Sequence, residues 1–367
     1  MAIKAGLVGL PNVGKSTLFN ALTKSQVPAE NYPFCTIEPH VAITPVPDDR
    51  LEKLKNLYQS EKIIPATATF VDIAGLVKGA ASGEGLGNQF LSHIKQVDLI
   101  LHVLRCFEDP DILHSGTIDP VADYETICAE LMLKDLDTLN SMIPKIEKLH
   151  KTTSNTAEKA ALEAELTFLK KMHTSLNNAD APAVRALSTH VPPSLNNIFL
   201  STKNFLIIAN LAEQDLDNYE KNPHLQALIK QFGKDRVIPV CVKIEQELSQ
   251  LNHEEAAELM GLYNLKEPSL DIIIRKTYDH LGLITFFTCG PKEIHAWPIT
   301  NGTKIRQAAG EIHSDLERGF ICSETFNCKD LFETKNIAKL KELGKVRTEG
   351  QDYIVEDGDI ILVRFSK

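Results

Sequence analysis

Apolar residues fall into two alternating kinds of segment along this chain. Short mostly apolar runs at Ile3 to Val8, Ala68 to Val71, Leu99 to Leu104, Phe205 to Ala209 and Val237 to Val242 read as buried strands. Stretches with apolar residues three and four apart separate them and read as helices, the first being Thr17 to Thr23, with Leu18, Phe19 and Leu22 on its apolar side. Strands alternating with helices predict a mainly parallel sheet with helices on both faces, whose ligand site lies off the carboxyl ends of the strands.

The alternation breaks between residues 120 and 200. Asp123 to Leu149 carries a stripe of Ile127, Leu131, Leu136, Leu139, Ile143 and Ile146, and Thr156 to Leu176 carries Leu162, Leu166 and Leu169. The polar turn Thr152 to Asn155 folds one helix back on the other, so an antiparallel coiled-coil hairpin is expected as an insertion over 122–200. From residue 280 the pattern changes again. Leu283 to Thr288 and Glu293 to Ile299 read as strands, Ile305 to Arg318 as one helix, and Tyr353 to Phe365 as a closing hairpin turning on Asp357-Gly358. The expected division is an α/β nucleotide domain over 1–279, interrupted by the helical insertion, followed by a β-grasp domain over 280–367.

The strand ends carry chemistry. Gly9 to Thr17 reads G-x-x-x-x-G-K-S-T between a strand and a helix, the phosphate-binding loop of P-loop NTPases with a Ras-like sheet. Gly9 and Gly14 let backbone N–H groups curl round a phosphate, Lys15 reaches the outer phosphates, and the Ser16 hydroxyl is suited to Mg²⁺. Asp72-Ile-Ala-Gly75 follows the strand at 68–71 as D-x-x-G, with Asp72 expected to hold Mg²⁺ through water and the Gly75 amide to sense the terminal phosphate. Thr36, in the proline-punctuated loop 31–39, is the candidate second Mg²⁺ ligand. Leu76 stands where many GTPases place a water-orienting Gln, and an alkyl chain cannot position water. Slow hydrolysis is therefore expected, with His114 as the candidate residue for the missing polar contact and Asn12 as a candidate holder of a monovalent cation such as K⁺.

Where guanine is normally read by Asn-Lys-x-Asp, this chain has Asn210, Leu211, Ala212 and Glu213. The short Asp carboxylate accepts two hydrogen bonds from guanine, but adenine would oppose it with a lone pair. The longer Glu213 is expected to point elsewhere, leaving backbone near Leu211 to read adenine.

Composition narrows the setting. Hydrophobic residues make up 43% of 367, ordinary for a folded soluble protein, and the net charge of −10 argues against one broad basic nucleic-acid face. Seven scattered cysteines without C-x-x-C suit reduced thiols; Cys35 beside Thr36 is either passive or an oxidation-sensitive point of the switch. Met1-Ala-Ile-Lys4 shows no signal peptide, and no apolar run approaches the roughly 18 residues that span a bilayer, so a cytoplasmic location without membrane attachment is expected.

Gly9 to Thr17, Asn31 to Glu38, Asp72 to Gly87, Val103 to Asp109, Asn210 to Glu213 and the C-terminal unit, with its stretch Gly310 to Phe320, together resemble the Obg-like ATPases of the YchF family across essentially the whole chain. The resemblance implies an ATPase of GTPase ancestry with a helical insertion, a C-terminal TGS domain and association with ribosomes. It implies phosphate binding by Asn12, Val13, Gly14, Lys15, Ser16 and Thr17, Mg²⁺ ligation by Ser16 and Thr36, and adenine contacts from Asn210, Leu211 and Glu213. Cys241 stands at the fifth nucleotide element, Val237 to Lys243, where Ser-Ala is more usual. RNA contact through the TGS domain or through Lys145, Lys148, Lys151, Lys159, Lys170 and Lys171 of the insertion is open, the alternative being a solvated face. A monomer is expected. The alternatives to an ATP switch are a GTPase of the same fold and a noncatalytic nucleotide-sensing ribosome adaptor.

Overall fold

The computed structural model describes residues 4–24, 40–73, 86–108 and 117–366. Their strands are β1 (Lys4–Val8), β2 (Val41–Pro45), β3 (Lys62–Ile64), β4 (Thr67–Asp72), β5 (Leu99–Arg105), β6 (Asn204–Asn210), β7 (Val237–Val240), β8 (Leu283–Cys289), β9 (Glu293–Thr300), β10 (Phe320–Asn327), β11 (Arg347–Glu349) and β12 (Asp359–Phe365). They form two sheets of six, ordered β2-β4-β1-β5-β6-β7 and β11-β10-β12-β8-β9-β3.

The first sheet is parallel from β1 through β5 and β6 to β7, with Leu7 opposite Leu101, Arg105 opposite Asn210, and Asn210 opposite Val240. All seven residues of β5 are buried, which is why apart from His102 and Arg105 its sequence is apolar rather than alternating. Its core joins Ile100, Leu104 and Ile207 with Phe90 and Ile94 from the helix Leu86–Lys95.

The insertion is a pair of helices, Pro120–Thr152 and Thr156–Asn177, each capped by the side chain before it: Asp119 accepts from Val121 and Ala122, and Asn155 from Ala157 and Glu158. Between them Leu139, Phe168, Leu169 and Met172 are buried. The expected stripe divides by depth, because Ile127 and Leu131 pack in the core of the sheet while Leu139 packs in the hairpin. At the root, the buried Asp135 accepts from the Leu200 and Ser201 amides, each at 2.8 Å, and from Ser201 Oγ at 2.6 Å. Asp135→Ala strands two amides there, and a stability loss of about 3 kcal/mol is expected in urea unfolding.

Backbone packing groups Ile43–Thr69 with Leu270–Lys367, so a stretch from the first third of the chain belongs to the C-terminal unit, which begins ten residues earlier than the sequence boundary at 280. The link is chemical as well as spatial: β3 pairs in parallel with β9, and Arg50 reaches Asp357. Within this unit β8 and β9 form an antiparallel hairpin, β12 runs parallel to β8 and antiparallel to β10, and the helix Ile305–Ile312 covers Phe286, Ile299 and Ile361.

Two sequence expectations change here. Tyr353 to Phe365 is not a hairpin: Tyr353 O accepts from Ile305 N and Val355 N donates to Thr303 O, so this segment is pinned to the start of the helix while β12 pairs with β10. The expected helix 305–318 breaks at the extended His313, whose ring Nδ1 accepts from the Asp315 amide and starts a short second helix, Ser314–Arg318. Trp297 on β9 is half-buried against the core around Phe286, stacked on His295 and bonded through Nε1 to Thr288 Oγ1 at 2.9 Å.

Candidate nucleotide-binding site

The carboxyl ends of β1, β5 and β6 and the turn after β7 surround a cavity of about 570 Å³. After β1 the chain passes through Asn12 at φ +64° and Gly14 at φ +94° before the helix Lys15–Lys24 begins. Asn tolerates the left-handed region, whereas at Gly14 any side chain would also collide: a Cβ would lie 2.4 Å from Asn210 Nδ2 and 2.9 Å from Val242 Cγ2. Gly9 is required for a different reason, since its Cβ would lie 2.7 Å from the Val103 carbonyl of β5.

Asn210 explains that crowding. Its side chain is buried, with Nδ2 donating to Val13 O at 2.9 Å and Oδ1 accepting from Val242 N at 3.2 Å. The carboxamide braces the phosphate loop against the loop after β7, and a base contact through it has the second N–H of Nδ2 and the second lone pair of Oδ1 to use. Leu211 departs further from expectation: its N–H donates to Val240 O at 2.7 Å and its side chain is buried in the sheet core. That amide is thus occupied within the fold, and main-chain reading of a base falls to the neighbouring groups at Ala212 and Cys241 to Lys243.

Glu213 lines the cavity with its carboxylate held by two other side chains. Its carboxylate accepts from the Tyr263 hydroxyl and from Lys243 Nζ, the latter at 3.0 Å. Hydrogen bonds from Tyr263 and then Lys243 hold its pKa below the ordinary Glu value, so it remains a fixed anion at the rim.

At the phosphate end the Lys15 ammonium contacts the Asp72 carboxylate directly, and both side chains are largely shielded from water. Asp72 is held at the end of β4 by its own N–H, which donates to His40 O at 2.9 Å. Ser16 follows Lys15 at the exposed start of the helix.

Of the residues expected from sequence, the cavity gathers Asn12, Gly14, Thr17, Asn210, Leu211, Glu213 and Cys241. Val13 is buried behind it, and Lys15 and Ser16 lie in the same turn between Gly14 and Thr17. Thr36, Gly75, Leu76 and His114 lie outside the described residues.

Phe107 and Glu108 also line the cavity, and sequence reasoning did not single them out. The buried Arg105 supports Phe107, donating from Nε to its carbonyl at 3.0 Å with the guanidinium 4.7 Å from its ring centroid. The available signal was position: an aromatic residue directly after a strand whose neighbours in the sheet carry motifs.

Comparison with known proteins follows the same lines. Residues 4–134 match the MMR_HSR1 family, described as a 50S ribosome-binding GTPase, and residues 283–366 match YchF-GTPase_C, described as a protein of unknown function. A protein of Escherichia coli O157:H7 named ribosome-binding ATPase YchF is 45% identical over 370 residues, covering 100% of both chains. The chain belongs to the YchF family. A Bacillus subtilis YchF protein of the same name is likewise 45% identical over 371 residues, with 100% of both chains covered. The solved YchF GTPase of Schizosaccharomyces pombe shares the fold at a TM-score of 0.85 and 37% identity, over 99% of this chain and 97% of that one. The fold is therefore a P-loop NTPase of the YchF type. The relatives' names divide between ATPase and GTPase, so base preference must be argued from this chain's own pocket.

Proposed function

We propose that this member of the YchF family binds ATP with Mg²⁺, hydrolyses it slowly, and acts as a nucleotide-dependent switch on the ribosome. The observation that carries the ATP reading is Glu213, whose carboxylate is engaged by Tyr263 and Lys243 rather than presented to the donors of a guanine. Phe107 supplies an aromatic wall for either purine, and discrimination is left to the main chain around Ala212 and Cys241.

In this reading the Gly9 to Gly14 turn and the start of the following helix receive the phosphates, and Lys15 moves from Asp72 to the outer phosphate oxygens. Ser16, Thr36 and Asp72 offer a hydroxyl, a hydroxyl and a carboxylate, hard oxygen donors that fit Mg²⁺ better than a softer metal. Mg²⁺ supplies neutralisation of phosphate charge. The ion pair of Asp72 with Lys15 of the phosphate loop supports assigning that carboxylate to the metal. Asn12, with its left-handed backbone at the cavity wall, is the proposed neighbour of a monovalent cation such as K⁺.

Ribosome association is proposed from the relatives' names, with RNA contact assigned to the C-terminal unit read as a TGS domain and to lysines of the insertion. Lys170 is already paired with Glu147 at 2.7 Å, which leaves less of that basic face for phosphate. Among the described residues no helix is long and apolar enough to cross a membrane. A monomer in the cytoplasm is the proposed state.

Titration with fluorescent ATP and GTP tests the base reading: ATP is expected to bind at least about tenfold more tightly, since a mismatched polar edge costs on that order. GTP binding equal to or tighter than ATP would overturn it and restore the GTPase alternative. For hydrolysis, His114→Ala is expected to leave ATP affinity near normal and lower single-turnover phosphate release by about tenfold or more, the usual loss for one positioned polar group. Leu76 keeps the adaptor alternative specific; an absence of phosphate release with and without ribosomes would establish it.

A further inference from the structure

A second cavity, of about 560 Å³, opens within the same unit at the opposite end of β5 and β6. Ile100 and His102 from the first half of β5 and Asn204 and Phe205 from the start of β6 line it, whereas the nucleotide cavity uses the far ends of those strands. Its remaining walls come from the root of the insertion, including Tyr124 and Cys128, and from the helix Ala181–Ser188.

Charge sets this cavity apart. Arg185, Lys203 and Arg236 line it, and no Asp or Glu does, in a chain of net charge −10. Lys203 Nζ donates to Val97 O at 2.6 Å, and Arg236 donates to Asn204 Oδ1 and Phe205 O, each at 2.9 Å. These acceptors are neutral, so they orient the cations without cancelling their charge. Asp98 and Asp135 act on Lys203 through space, but neither reaches the cavity wall.

The floor is aromatic. Tyr124 lies 5.4 Å from Phe205 and 4.6 Å from Phe232 between ring centroids, and His102 lies 4.7 Å from Tyr124. His102 is only 2% exposed, and its Nδ1 has no hydrogen-bond partner. Burial drives its pKa down to about 3, so the ring is neutral and adds no charge to the cavity.

We propose that this cavity is a binding site for a small organic anion with a flat apolar body: its acidic group faces Arg185, Lys203 and Arg236, and its body lies against Tyr124, Phe205 and Phe232. Nothing in the nucleotide reaction uses these residues.

Anilinonaphthalenesulfonate, a flat aromatic sulfonate, is the probe. Titrated by fluorescence into the full chain saturated with a nonhydrolysable ATP analogue, it is expected to fill one saturable site, while its neutral parent phenylnaphthylamine binds at least about tenfold more weakly, because the anion is what the cations recognise. The double variant Arg185→Gln with Lys203→Gln should raise the probe Kd about tenfold. Gln231 lies exposed on the rim, so a charge placed there leaves the fold intact: Gln231→Glu should weaken the probe about threefold and Gln231→Lys should not, a modest effect for a charge at a solvated edge. If the double variant fails to fold, the Gln231 pair decides. Absence of a saturable site, equal binding of the neutral parent, or probe affinity indifferent to the rim charge would each overturn the proposal.

Discussion

Asn210→Ala is expected to weaken ATP binding by about 100-fold while leaving the sheet assembled. The carboxamide satisfies two backbone groups in adjoining loops, Val13 O and Val242 N. Truncation leaves both without that partner in a buried place, at about 1–3 kcal/mol each, and a combined loss near 3 kcal/mol corresponds to about 100-fold in affinity. The effect should fall on nucleotide binding because the two loops are the walls of the cavity, whereas β6 itself remains held by β5 and β7. Equilibrium titration together with a melting curve checks it. A variant that melts earlier but binds ATP as tightly as the parent would show that the brace serves stability and does not shape the pocket.

The second large effect is expected far from nucleotide. Arg50 donates to Asp48 at 2.8 Å and to Asp357 at 2.6 Å, and its guanidinium lies 5.0 Å from the centroid of the Phe287 ring. Burial works against the charge, yet the hydrogen bonds to Asp48 and Asp357 outweigh it and raise the guanidinium's pKa above its ordinary value. Asp357 is shared, because its Oδ1 also accepts from Thr285 N at 2.9 Å. Arg50→Ala removes the cation from two carboxylates at once, and a destabilisation of about 3 kcal/mol is expected in the C-terminal unit. Arg50→Lys should recover only part of it, since an ammonium cannot offer the planar fork that spans both partners. Trp297, the sole tryptophan of the chain, lies in that unit on β9, so its fluorescence during urea unfolding reads the loss directly. An unchanged midpoint in Arg50→Ala would remove the guanidinium as a structural tie.

Apart from β2, the strands of the first sheet and the phosphate loop were legible because a parallel sheet covered on both faces writes itself as largely apolar runs, and because a tight turn round phosphate demands glycine at set positions. Hydrogen-bond partners distant in sequence were not legible. Glu213 and Tyr263 are 50 residues apart, and nothing in either neighbourhood announces the other. The extra methylene of Glu213 says that its carboxylate reaches further than that of an Asp, not which groups hold it. The partner of the Leu211 amide was equally hidden, because only the register of β6 on β7 hands that amide to Val240. The apolar start of 353–358 and its Asp-Gly turn pointed to a hairpin arm, yet its partners proved to be Thr303 and Ile305, a choice made by tertiary packing. β3, three residues ending at a proline, was too short to register at all.

That short strand governs how the gene can be cut. A fragment stopping near residue 269 would present Lys62–Ile64 without β9 and Arg50 without Asp357, and one starting at 270 would expose the outer edge of β9. An open edge invites pairing with other copies. Two-piece expression should therefore yield sticky halves, and studies of either activity belong on the intact polypeptide.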